Sequence, residues 1–391
     1  MNLIYFPENM LKPCGGPAGY LYNLKQGMTE QESKQIVFLP AKKGITGKDR
    51  VKGILPERLV DFRKALRFTK MYKEKQTPPV DLNLYDSVHF HRTGDLYRCR
   101  AALEKYTGKV ILTSHTPCVR FRELIDMLNP ADAKLMKKKL QTLEKIDEYA
   151  FKRADYIIFP CKEAEEPYYH TWRQYGQLRE EQKYRYIPTG IIGCTAKVSR
   201  EEYRKMYDIP DEAFVISYAG RHNEIKGYAD LKKLGEKLLR NENVYFLIAG
   251  KEEPIKGLHH PRWIEVGWTN DPHSLIAAAD MFILPNHETY FDLIMLEALS
   301  LGQIVVASKT GGNKFFEKYD SDGIQLYENI GEAYSMITDI MESNQNHLRE
   351  MREKNMQLFM QEFNITKFAG EYVEVIQAIN SQSRKRAKCV E

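Results

Sequence analysis

Two cations five residues apart, Arg221 and Lys226, follow a strand-like run in SYAGRHNEIKGYADL, residues 217–231. The run closes on Gly220, and Gly227 opens a helical pattern. Small residues let a backbone approach a ligand closely. The two cations can neutralise a diphosphate, arginine through its planar fork of donors and lysine as a point charge. The same loop could equally be an ordinary strand-to-helix connection with solvated charges. A second stretch, HETYFDLIMLEALSLG at 287–302, sets Glu297 and Ser300 in a run otherwise apolar from Leu293 to Leu301. A buried carboxylate without a partner costs several kcal/mol, on the order of 3–5. Either a neighbouring cation or N–H pairs with Glu297, or a ligand hydroxyl pair such as that of a ribose does. Asp292 is placed to cap the helix, and Gly302 to end it.

Two weaker signals lie in the first half. LKPCGGPAGYLYNL, residues 11–24, is a glycine-rich loop opening onto a helix, whose N–H groups could cradle an anion. A tight turn explains it as well. His89, His91 and His115 stand at strand ends in VHFHRTGD and ILTSHTPC, without a carboxylate or cysteine at metal-ligand spacing. They read as hydrogen-bonded core histidines, and no metal site is expected.

The elements that must position these residues are strands buried on both faces, alternating with amphipathic helices. Continuous apolar runs of this kind belong to parallel sheets. In the first half they are 3–6, 36–39, 87–91, 109–114, 155–159 and 184–187. In the second half they are 214–220, 244–250, 263–266, 281–285, 304–308 and 323–327. Between them YADLKKLGEKLLR, residues 228–240, sets Leu231, Leu234 and Leu238 on one stripe. Two such series predict two doubly wound α/β domains, with ligands at the carboxyl ends of the strands. The break falls after YIPTGIIG, residues 186–193, and 194–213 reads as polar and turn-like. The domains expected are therefore 1–193 and 194–365, with a closing helix over 366–391.

Composition narrows the class. The chain has 391 residues, a net charge of +5, too mild to imply nucleic acid, and no run long enough for a membrane span. Its start lacks the pattern of a secretory signal. Six scattered cysteines show no paired spacing, which fits a reducing cytoplasm. The basic end, SRKRAKCVE, reads as a frayed terminus.

In order along the chain stand CGGPAG (14–19), DSVHFH (86–91), ILTSH (111–115), RADYIIFPCKEA (153–164) and YIPTG (186–190). SYAGRHNEIKG (217–227), FLIAG (246–250), AAADMFILPN (278–286), YFDLIMLEALSLG (290–302) and VVASKTGG (305–312) follow. In this set the chain resembles the retaining GT-B glycosyltransferases of family 4, the second half more specifically than the first. The resemblance implies two Rossmann-like domains facing a central cleft, the first on the acceptor side and the second holding a nucleotide sugar. Arg221 and Lys226 match the pair that binds the donor diphosphate, and Gly16 matches the loop that closes over it. Glu297 matches the second glutamate of the E-x7-E motif, which holds the ribose. His115 matches a histidine lining the donor sugar and acceptor. Leu293 falls among the donor-binding positions.

Two positions depart from the pattern. The first motif glutamate should fall at Thr289, with Glu288 one residue early. Asp292 stands where the family has glycine; its carboxylate would repel a phosphate unless it points away as an N-cap. The implied reaction is sugar transfer from a nucleoside diphosphate sugar, a UDP-sugar by family habit, with retained configuration and no metal or other cofactor. Arg221, Lys226 and backbone N–H groups would stabilise the leaving diphosphate, whose oxygen takes the acceptor's proton. The acceptor would be a glycan or lipid-linked glycan of the cell surface.

AKLMKKKLQTLEKIDEYAFKR, residues 133–153, reads as one basic amphipathic helix with Met136, Leu140, Leu143 and Ala150 on its apolar stripe. Lys134, Lys137, Lys138 and Lys139 either meet anionic lipid at the inner face of the membrane or are simply solvated. The 24 tyrosines fit carbohydrate stacking without being specific to it. Two other readings use the same fold. One is a non-catalytic GT-B subunit binding a nucleotide sugar or a partner enzyme, with the altered motif marking lost chemistry. The other, a sugar-nucleotide epimerase, lacks identifiable acid and base groups.

Overall fold

The computed structural model describes residues 1–7, 11–13, 16–39, 57–71, 74–116, 118–126, 128–252, 254–319 and 321–388. Cys14 and Gly15 of the first glycine loop, and the last residues of the basic end, lie outside them. The chain forms two compact units. One comprises Met1–Pro160, Pro167–Ile187 and Ala369–Glu391, and the other Cys161–Glu166 and Pro188–Phe368.

Each unit is built on a six-stranded sheet in which every recorded strand pair is parallel. The first sheet contains β1 (Asn2–Tyr5), β2 (Ile36–Phe38), β3 (Ser87–Phe90), β4 (Lys109–Leu112), β5 (Tyr156–Phe159) and β6 (Tyr184–Tyr186) in the order β2-β1-β3-β4-β5-β6. The second contains β7 (Phe214–Ala219), β8 (Val244–Ala249), β9 (Trp263–Gly267), β10 (Met281–Leu284), β11 (Ile304–Ser308) and β12 (Ile324–Tyr327) in the order β12-β11-β10-β7-β8-β9. The order reverses at β1/β3 in the first sheet and at β7/β10 in the second. In open α/β sheets ligands bind at such switch points, beyond the carboxyl ends of the strands.

Every one of the twelve apolar runs contains a strand: β1, β3, β5 and β10 are buried along their whole length, β4, β7, β8 and β11 nearly so, and the edge strands β2, β6, β9 and β12 are mostly half-buried. An Ala-Asp pair starts one strand of each sheet in the same way. The Asp155 carboxylate accepts the Val110 N–H at 2.8 Å, and the Asp280 carboxylate accepts the Val215 N–H at 2.8 Å. Both aspartates fasten neighbouring strands at their amino ends, which leaves the carboxyl ends to the loops. In the second unit helix Tyr228–Leu238 lays Leu231, Leu234 and Leu238 on Ile216, Phe246 and Ile248 of β7 and β8, all buried.

Local structure differs from the sequence reading in two places. The basic stretch forms two helices, Pro130–Gln141 and Glu144–Arg153, rather than one. Thr142 Oγ1 donates to Lys139 O at 2.6 Å, a back-bond that loosens the helical ladder at the join. Met136, Leu140, Leu143 and Ala150 are all buried, while Lys134, Lys137, Lys138 and Lys139 are exposed around an exposed Leu135. The segment read as turn-like contains helix Arg200–Met206, started by a capping box between Ser199 and Glu202. That S-x-x-E signal stands in the sequence. The closing helix runs over Ile365–Lys388 and buries Tyr372, Val373, Ile376 and Ile379.

Candidate functional site

At the second switch point, β7 ends on Ala219 and hands the chain to Gly220 and Arg221. Tyr218 Oη donates to Arg221 O at 2.8 Å and fixes the exit of the strand. The Arg221 side chain is exposed and has no ion-pair partner among the described residues. Asn223 Oδ1 accepts the Lys226 N–H at 3.0 Å, shaping the turn between the cations. Gly227 has φ +63°, and a Cβ there would lie 1.6 Å from Pro285 O, so only glycine lets this loop pass the exit of β10.

β10 leads through Pro285 and Asn286 to helix Leu293–Ser300. Asp292 holds the N-cap position with extended backbone, φ −73° and ψ 120°, but its side chain makes no capping bond. It does not point away, as the sequence reading required. Lys226 Nζ and Asn286 Nδ2 both donate to Asp292 Oδ2, each at 2.5 Å. Burial pushes the Asp292 carboxyl up, and Lys226, Asn286 and Arg221 more than offset it, so it lies below the ordinary carboxylate value. Lys226 is therefore an ion-paired cation rather than a solvated one.

Glu297 is also differently placed from the expectation. Its side chain is 23% exposed rather than buried, and it has a protein partner: His273 Nε2 lies 3.2 Å from Glu297 Oε2. Cys194 and Glu297 push the His273 imidazole up to about 10 against its burial, so the ring carries its proton at neutral pH. His273 was not found from sequence. Its signal is the Asp271–Pro272 start of helix Pro272–Ala278, which puts a histidine in the first turn. Leu293 opens the helix and is half-buried. Thr289 is buried, and its Oγ1 has no hydrogen-bond partner among the described residues; Glu288 beside it is half-buried. Asn286 Oδ1 is likewise buried and unpartnered. A cavity of about 740 Å3 opens at the amino ends of β7, β10 and β11. Its arginines, Arg200 and Arg352, are already engaged with Asp280.

The first switch point is chemically different. Gly16 starts helix Gly16–Gly27 with φ +75° and open space where a Cβ would go. Tyr20 on that helix meets the His115 ring edge-on at 4.7 Å. His91 Nδ1 and His115 Nε2 are 2.9 Å apart. His89 bonds Thr113 Oγ1 at 2.9 Å and Tyr372 Oη at 2.7 Å. Burial lowers all three histidines; His115, also depressed by Arg92, falls to about 3. His115 has φ +57°, an uncommon left-handed backbone for a non-glycine residue. The reading of three core histidines thus gains a shared cluster, with Tyr20 and Tyr372 as members that sequence did not reveal. Among the described residues no three His, Cys, Asp or Glu side chains are arranged to hold a metal.

The second unit carries the family signal. Residues 199–358 match the family model described as "Glycosyl transferases group 1". The O-antigen biosynthesis glycosyltransferase WclY of Escherichia coli is 25% identical over 181 residues, 44% of this chain and 49% of that protein. The lipopolysaccharide core biosynthesis glycosyltransferase LpsE of Rhizobium meliloti is 22% identical over 181 residues, 44% of this chain and 52% of that protein. The matched region thus spans about half the length of these curated relatives. Among solved structures, sucrose-phosphate synthase from Thermosynechococcus elongatus superposes with TM-score 0.65 at 15% identity, covering 97% of this chain and 99% of that one. Anabaena Alr3699/HepE in complex with UDP-glucose gives 0.62 at 14% identity, covering 97% and 100%. The two six-stranded parallel α/β units are the GT-B fold. Through residues 199–358 the chain is related to the group 1 glycosyltransferases.

Proposed function

We propose that this protein is a retaining glycosyltransferase of family 4. It moves a sugar from a nucleoside diphosphate sugar, a UDP-sugar, to a glycan or lipid-linked acceptor of the cell surface. The observation that carries the reading is the loop after β7, which sets Arg221 and Lys226 at the switch point of the sheet matched by the group 1 model. Those cations stabilise the negative charge that develops on the leaving diphosphate, usually the largest catalytic contribution. The bond from C1 of the sugar to the phosphate oxygen breaks as the acceptor oxygen bonds to C1. The acceptor proton passes to the departing phosphate oxygen, so no protein nucleophile and no metal is required. Glu297, steadied by His273, accepts hydrogen bonds from the ribose hydroxyls. Glu288, Thr289 and Leu293 line the donor, and Thr289 Oγ1 is the unpartnered hydroxyl available to its sugar. In the first unit His115, kept neutral by burial, is assigned to the acceptor.

We place the protein in the cytoplasm, with the exposed lysines around Leu135 touching anionic lipid at the inner face of the membrane. No helix among the described residues is long and apolar enough to cross it. The alternative, a non-catalytic GT-B subunit, gains weight from the carboxylate on Lys226 and from Thr289 in place of glutamate. Thermal denaturation with UDP, GDP, ADP and their sugar conjugates separates the two. A ligand at about 100 times its Kd adds about 2.7 kcal/mol of stability. A shift with one base, larger for one conjugate, names the donor, and release of nucleoside diphosphate from that conjugate with an acceptor present supports the transferase. No shift across the panel, and no release of nucleoside diphosphate with acceptors present, favours the non-catalytic subunit.

A further inference from the structure

Asp292 has two seats within reach. Its backbone places it to cap helix Leu293–Ser300, and its φ and ψ suit that role. Yet its carboxylate sits on Lys226 and Asn286, leaving the first N–H groups of the helix without their side-chain acceptor. Asn286, which donates to that carboxylate, keeps a buried Oδ1 with no hydrogen-bond partner among the described residues. Arg221, five residues before Lys226, has no carboxylate of its own among the described residues. The centre therefore contains one cation that feels Asp292 only at a distance, one cation in contact with it, and a cap without a side-chain acceptor to which that anion can turn.

We propose that Asp292 is an exchangeable counter-ion of Lys226. With no nucleotide bound it holds the ammonium at the strand ends. The donor diphosphate, bringing more negative charge than one carboxylate, takes Lys226 over while Asp292 turns to the helix N–H groups. As the nucleoside diphosphate leaves, Asp292 recovers the lysine and hastens the release. Asp292 is thus a positioning residue that lowers affinity for the product. The inference rests on the donor-site reading above and deepens it.

The test is calorimetric binding of UDP, GDP and ADP to the full chain and to Asp292→Asn, Asp292→Glu, Lys226→Ala and the Lys226→Ala/Asp292→Asn double variant. Asp292→Asn should bind the preferred diphosphate about tenfold more tightly, and its inhibition constant as a product should fall in parallel. Asp292→Glu should stay near the natural protein, and the gain should vanish in the Lys226→Ala background. Unchanged or weaker binding by Asp292→Asn overturns the exchange and leaves a fixed structural pair. A gain that survives without Lys226 overturns it too, because the effect is then general charge removal. If the natural protein binds a diphosphate and Asp292→Asn gains nothing, the exchange alone fails. If no diphosphate binds any variant at millimolar concentration, the donor site itself fails.

Discussion

The two switch points obey one topological rule and use opposite chemistry. At β1/β3 and the neighbouring exit of β4 stand His89, His91 and His115, all kept neutral by burial, with Tyr372 stacked on His89 and Tyr20 edge-on to His115. At β7/β10 stand Arg221, Lys226 and Asp292, with the pair His273–Glu297 on the adjoining helices. Neutral rings with hydrogen-bonding nitrogens suit a polyhydroxylated, uncharged ligand. Paired cations suit an anion. A parallel sheet therefore dictates where a ligand goes and leaves its charge to the few residues after each strand.

The largest effect should come from removing the cation most deeply set in that contrast. Lys226→Ala should cost about 2–4 kcal/mol of transition-state stabilisation, seen as a fall in kcat/KM for the sugar nucleotide. Normal turnover would remove Lys226 from the site. Two of the positive-φ glycines, Gly227 and Gly16, sharpen the comparison at the level of stability. Gly227→Ala meets both the left-handed penalty and a carbonyl 1.6 Å from the new Cβ, and should lose about 2–3 kcal/mol in urea denaturation. Gly16→Ala has φ +75° but open space, and should lose only about 1 kcal/mol. Equal losses would show that the second loop is less tightly held than its geometry indicates.

Much of this was legible in the sequence, and what was not has a physical reason. The strands could be read most directly where burial on both faces leaves continuous apolar runs, as in β1, β3, β5 and β10; the edge strands β2, β6, β9 and β12 are mostly half-buried and carry shorter or mixed runs. The break at Thr142 could not be read, because both helices keep one apolar stripe across it. At the candidate site, residue types and spacing revealed Arg221, Lys226 and Glu297 but not their partners. His273 and Glu297 are 24 residues apart, and Lys226 and Asp292 are 66 apart. Only the parallel crossovers bring such positions together. An ion pair between distant loops leaves no period in the sequence, so a carboxylate that looked unpaired proved to have a histidine beside it.

Acid and alkali should strain different units. The three histidines of the first unit stay neutral when folded but titrate near 6.5 when unfolded. Below about pH 6.5 the unfolded chain binds protons that the folded one refuses, by up to about 1.4 kcal/mol per pH unit for each histidine. His273 behaves oppositely. Its folded value is raised to about 10, so its contribution is complete below about 6.5 and is lost as pH rises towards 10. Peptide-resolved hydrogen exchange should show residues 87–115 loosening at pH 5 and residues 263–300 loosening above pH 9. Loosening of both regions together at either extreme would deny the two sites their separate electrostatics.

The smallest predicted effect is none. If Arg221 and Lys226 carry the leaving charge, a chelator should leave turnover unchanged. Asp292 cancels one of the two positive charges, so a bound diphosphate meets the full pair only when that carboxylate has moved away. Loss of activity on chelation, restored by a divalent ion, would therefore do more than add a metal. It would turn Asp292 from the counter-ion of Lys226 into a ligand of that metal, and make the second switch point an acidic site completed by a cation instead of a basic one guarded by a carboxylate.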